Sequence, residues 1–124
     1  MMNDNLWVEL AGDLILARLR GEPTPDMLRE CQMRVLLLAS ESGRFRVLYD
    51  GLEMTPPPVE LTFVQRQLDQ TSDASALRRA IVVPTSKLAF LARLAFGEGN
   101  YRVFYGDMVA AVRWLSSDLP DRTP

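Results

Sequence analysis

The chain has 124 residues and a mass of 14.0 kDa, is 48% hydrophobic and 24% charged, and sets 14 basic against 16 acidic side chains. A pI near 5.1 argues against a nucleic-acid partner, which would select a basic face, and so apolar a chain with so small a net charge is not intrinsically disordered. Histidine is absent, which removes the commonest general base and the commonest zinc ligand.

Residues 1–124 read as a single domain, long enough to bury a core without metal or disulfide staples. Cys31 is alone, so no intramolecular disulfide can form and a reducing compartment is the natural reading. No basic segment followed by an apolar run stands near Met1. No apolar stretch, Val35 to Ala39 included, approaches the roughly 20 residues of a membrane span. The expectation is a cytoplasmic protein with no integral membrane segment. Thirteen arginines accompany the one lysine, Lys87, a bias that GC-rich codon usage explains more simply than thirteen selected sites.

Leu6–Leu10 and Leu14–Leu19 are short strand-like runs separated by Ala11-Gly12-Asp13, the composition of a tight hairpin turn. Leu14, Leu16, Arg18 and Arg20 share one face of the second strand, and Ile15, Ala17 and Leu19 the other. Thr24-Pro25-Asp26 then supplies a cap, a first-turn proline and an acidic residue that complements the helix dipole. The spacing predicts a helix to about Ser42, stopped by a left-handed Gly43, with Leu28, Cys31, Val35, Leu38 and Ala39 as its buried stripe.

Phe45–Asp50 reads as a strand that Gly51 ends, and Thr55-Pro56-Pro57-Pro58 can be neither helix interior nor central strand. A helix from about Pro58 to Gln70 is expected to turn Leu61, Val64 and Leu68 inward, with Val59 and Phe63 marking a second covered surface. Thr71-Ser72-Asp73 breaks it. Ala80–Val83 has the doubly apolar character of an interior parallel strand, preceded by Arg78-Arg79, which read as a solvated entry. Thr85 or Ser86 caps a nearly all-apolar helix, Lys87–Phe96, stopped by Gly97. Tyr101–Tyr105 is the last strand, and Asp107 caps a final helix, Met108–Ser117, that buries Ala111, Val112 and Leu115; a polar tail, Asp118–Pro124, follows.

The order is therefore β-β-α-β-α-β-α-β-α. It predicts an α/β fold with a mixed, mostly parallel five-stranded sheet, four helices and an antiparallel edge. No internal repeat or linker interrupts it. This order, the strand Arg46-Val47-Leu48-Tyr49-Asp50 and the ending Tyr101–Leu115 resemble the SpoIIAA-like proteins, small bacterial proteins of the STAS, or STAS/SEC14-like, fold. Val103, Phe104, Asp107, Ala111, Trp114 and Leu115 occupy that family's pattern of a strand ending in Val-Phe, an acidic helix start and Ala-x-x-Trp-Leu.

The resemblance implies a regulatory interaction module. Anti-sigma-factor antagonists of this fold carry an Asp-Ser-Ser-Gly-like segment whose serine is phosphorylated. Here that place holds Gly51-Leu52-Glu53-Met54-Thr55-Pro56-Pro57-Pro58, without a serine. Thr55 is its one hydroxyl, and a capping role before Pro56 is the simpler expectation than phosphorylation.

Ligands of open α/β sheets sit beyond the carboxyl ends of the parallel strands. Asp50 and Glu53, three residues apart at such an end, are candidates for a carboxylate pair that does acid–base work or binds a hard cation; the alternative is a turn-forming Asp50 beside a solvated Glu53. Thr85-Ser86 with the following helix N-terminus could hold an anion, against a plain capping role. Cys31 lies on a buried stripe with no base to ionise it and reads as a core thiol.

The helices carry more apolar width than one sheet-facing stripe needs, at Met33, Leu36, Leu37, Phe63, Phe90, Leu94 and Phe96. Three outcomes are open: a homodimer or regulatory-partner face, a cavity for a small apolar, lipid-like ligand between the sheet and the helices containing Phe63 and Phe90, or a deeper core. The favoured expectation is a non-enzymatic, dimeric STAS-like module with no cofactor or metal. An apolar-ligand carrier or sensor, and an enzyme built on Asp50 and Glu53, are the alternatives.

Overall fold

The structure, a computed structural model, describes residues 5–70, 76–96 and 100–117. They form β1 (Leu6–Ala11), β2 (Leu14–Gly21), α1 (Pro25–Ser42), β3 (Arg46–Met54), α2 (Glu60–Gln70), β4 (Arg78–Val83), α3 (Ser86–Phe96), β5 (Tyr101–Tyr105) and α4 (Met108–Ser116). The sheet runs β1-β2-β3-β4-β5, with β1 antiparallel to β2 and every other pair parallel. The expected α/β class, with a mixed five-stranded sheet and four helices, is the class observed.

Local chemistry sets the helix ends where the sequence places them. The Thr24 hydroxyl accepts from the Met27 N–H at 3.2 Å, Pro25 opens α1, and Gly43 at φ 73° donates its N–H back to the Ala39 carbonyl. Asp107 caps α4 by accepting from the Ala110 N–H at 2.9 Å.

The strand order is also the chain order, so each parallel crossover steps the same way across the sheet. Crossovers of one hand then lay their helices on one face. That face carries Ile15, Ala17, Leu19, Val47, Tyr49, Ile81 and Val83, packed with Met27, Cys31 and Val35 of α1 and Leu88 and Ala89 of α3. Among the described residues no strand follows α4, which folds back onto the other face, where Ala111 and Leu115 meet Leu48, Ala80 and Val82.

Three helices do not fit on the first face. Five strands at their usual spacing make a sheet about 19 Å across, room for two helices about 8–10 Å apart. α1 takes the β1–β2 end and α3 the β4–β5 end, and α2 rides against α1 and α3 above β3. This second layer accounts for much of the apolar width on the helices. Leu36 packs against the core beneath α1, and Leu94 and Phe96 are partly buried.

Several expectations need correction. Gly51 does not end β3, which continues to Met54, because a residue with no side chain lets the Val82 carbonyl of β4 approach. α2 starts at Glu60 rather than Pro58, and its buried residues are Leu61, Thr62 and Gln65, with Val64 and Leu68 only half-buried. The helix thus turns its Leu61, Thr62 and Gln65 side inward rather than its most apolar stripe. Phe63 is 61% exposed and Phe90 57%, so neither borders the space between helices and sheet. Arg78 and Arg79 are buried. Strand alternation sends one to each face of an interior strand, where both are covered. The breaks expected at 71–73 and at Gly97, and the tail from Asp118, lie outside the described residues.

Candidate functional site

Because α2 bridges α1 and α3 instead of resting on the sheet, a space of about 100 Å³ remains under it, above β3 and β4. Its floor is Tyr49, Ile81 and Val83, and its roof Leu61, Thr62 and Gln65 of α2. Leu28 and Cys31 of α1 form one wall; Leu88, Leu91, Ala92, Ala95 and Phe96 of α3 form the other. Pro23, Met54 and Pro57 border the end nearest the carboxyl termini of β2 and β3, where ligands of such sheets are expected.

The ionisable groups on these walls are held neutral. Burial pushes the Cys31 thiol up to about 12, outweighing the opposing pull of the Arg34 guanidinium. Burial likewise raises the Tyr49 hydroxyl, so it stays protonated. Cys31 therefore carries no thiolate for nucleophilic chemistry at neutral pH.

Behind this space α2 is fastened by a buried ion pair. Arg79 is fully buried, donates through Nη1 to Oδ1 of Asp69, and lies 4.8 Å from the ring centre of Phe96. On the opposite face Arg78 stacks 3.7 Å over the Trp114 ring and donates at 2.8 Å to the Trp114 carbonyl, which also accepts from the Ser117 N–H at the end of α4. Sequence reasoning missed both roles. The available signal was an Arg-Arg pair running directly into a doubly apolar strand.

The remaining candidates separate. Asp50 accepts from Arg18 Nε at 3.0 Å and from the Leu52 N–H at 3.2 Å, while Glu53 lies 3.3 Å from Arg20 Nε. Two residues of β2 oppose three of β3 here, and this irregularity turns both carboxylates toward the arginines of one face. Each is matched to its own cation and they do not form a shared acid–base pair. Thr55 caps no helix: its N–H donates to the Gly21 carbonyl, extending the β2–β3 ladder. The Thr85 hydroxyl accepts from the Leu88 N–H at 3.2 Å, which makes it the cap of α3, with Ser86 the first helical residue. Met33 and Leu37 stay exposed on the outer face of α1.

Among the described residues, no group of three or more potential metal ligands is assembled and no helix is long and apolar enough to cross a membrane. No known family model matches the chain, and no curated protein matches its sequence.

Proposed function

We propose that this chain is a non-enzymatic, cytoplasmic module of STAS-like layout that holds a small apolar ligand between its sheet and α2, as a carrier or sensor. The observation that carries the reading is the space beneath α2, apolar on nearly every side, at the sheet end where ligands of open α/β folds bind. Two features favour binding over catalysis. The carboxylates of Asp50 and Glu53 are engaged by arginines, and the Cys31 thiol stays protonated. The STAS-like assignment draws support from the resemblance of the Tyr101–Leu115 unit and from the sequential strand order.

The test is native mass spectrometry of freshly purified protein beside the Ala92→Leu variant, which fills the space. A small molecule retained by the wild type and lost from the variant is the expected result. A wild type that carries nothing, and that no apolar compound stabilises against heat, overturns the reading.

Met33 and Leu37, exposed one turn apart on α1, favour a second reading: a face for a regulatory partner or for a second copy of the chain. Analytical ultracentrifugation checks the homodimer, and a monomer at all concentrations removes it.

A further inference from the structure

We infer that the cavity beneath α2 selects a compact, uncharged molecule carrying one hydrogen-bonding group, held at the Tyr49–Gln65 end, and rejects a carboxylate or ammonium of similar size. The inference rests on the ligand reading above and specifies its chemical class.

Charge is excluded by the walls. Among the described residues, no Asp, Glu, Lys or Arg borders the space. An ion placed there would lose its water with no counter-ion in return, at a cost of several kcal/mol. The buried guanidinium of Arg79 and the carboxylate of Asp69 already neutralise each other behind Phe96.

Size is set by the fixed seat of α2. Its far end is tied to the sheet through Asp69, and its near end follows Pro56-Pro57-Pro58. A space of about 100 Å³ is smaller than the roughly 150 Å³ apolar cavity that accepts benzene. Molecules no larger than benzene, of about six heavy atoms or fewer, are the natural occupants.

Polarity is confined to one end. Pro23, Met54, Pro57 and Leu88 border the other end and offer no strong hydrogen-bonding side chain. Gln65 sits one helical turn before Asp69, and the Tyr49 ring lies 6.0 Å from the ring of Phe96, over which Arg79, the partner of Asp69, is stacked; this places the two uncharged groups toward the same end of the space. The Thr62 hydroxyl gives its one proton to the Val59 carbonyl at 2.6 Å and so offers a ligand no donor. A phenol hydroxyl and a carboxamide between them provide donors and acceptors for a ligand hydroxyl, carbonyl or amide.

The test is an NMR titration of the full chain with four probes: cyclopentane, cyclopentanol, cyclopentylammonium and cyclopropanecarboxylate. The readout is the methyl shifts of Leu61, Ala92 and Ala95. Cyclopentanol is expected to bind roughly three- to tenfold more tightly than cyclopentane, the worth of one net hydrogen bond, and the ions not to bind. Gln65→Leu, with Tyr49→Phe as the milder second variant, should erase the alcohol's advantage while cyclopentane still binds. An ion binding as tightly as the alcohol, or an alcohol with no advantage over cyclopentane, overturns the inference and leaves the cavity reading standing. If no probe shifts a lining methyl, the ligand reading falls and the inference falls with it.

Discussion

Arg79 on β4 and Asp69 on α2 form an ion pair in which the guanidinium is wholly buried and the carboxylate nearly so. The pair joins the sheet to the one helix that has no seat on it. Arg79 Nε and Nη2 are buried with no hydrogen-bond partner among the described residues, so its charge depends on Asp69 and the Phe96 ring.

Removing one partner should therefore do far more damage than removing both. Asp69→Ala is expected to lower stability by about 3–5 kcal/mol, because it strands a buried cation. The double variant Arg79→Met/Asp69→Leu should lose much less than the sum of the single changes. Urea unfolding of the four proteins measures the coupling.

The ion pairs of β2 and β3 should respond unequally. The Asp50 carboxylate is largely buried and accepts from both Arg18 and the Leu52 N–H, so Asp50→Asn is expected to cost about 1 kcal/mol or somewhat more. Glu53 and Arg20 are each more than half exposed, and Glu53→Gln should leave stability unchanged. Neither change should alter occupancy of the space beneath α2, which lies on the other face of the sheet. Denaturant midpoints and probe titrations check the two statements separately.

At Gly51 a Cβ would stand 3.1 Å from the Val82 carbonyl and 3.0 Å from Met54 Sδ. The methionine can yield, but the carbonyl belongs to the neighbouring strand. Gly51→Ala should cost about 1–3 kcal/mol through overpacking and should weaken the β3–β4 ladder at Asp50 and Val82. Amide hydrogen exchange at those positions reads the local effect, and thermal unfolding the global one.

Alkaline pH should loosen the fold in a defined window. The Cys31 thiol ionises near 9.0 when exposed and near 12 when folded. Between these values the unfolded chain binds fewer protons than the native one, so stability falls as pH rises. The accumulated loss approaches about 4 kcal/mol at the top of the window. Tyr49 adds a loss of the same sign, beginning near 10.0. Cys31→Ala should remove the part of the decline that begins near 9.0, which urea midpoints at about pH 8 and about pH 10.5 would detect.

Much of the candidate site was invisible in the sequence for a geometric reason. Phe63 and Phe90 attract attention because they are large and apolar, yet they point outward. The space is lined instead by Cys31, Tyr49, Gln65, Ala92 and residues around them, drawn from three helices and three strands. Of the residues that give the helices their excess apolar width in the sequence, only Phe96 belongs to the walls, beside Leu28, Cys31 and Leu61 of the expected buried stripes. The carboxylate pair failed for a related reason: the arginines that engage Asp50 and Glu53 lie more than thirty positions away on β2.

The sequence by itself determined the element order, the parallel sheet with its antiparallel edge, and the capped ends at Thr24, Gly43, Thr85 and Asp107. These features depend on side-chain periodicity and on hydrogen bonds spanning a few residues, which any local stretch displays. Only the tertiary structure decided that α2 rides above α1 and α3, that Asp69 meets Arg79, and that a space remains over Tyr49. Those outcomes follow from a competition for room on one sheet face. Such a competition is settled by the widths of helices and strands packed together and is written in no single segment of the chain.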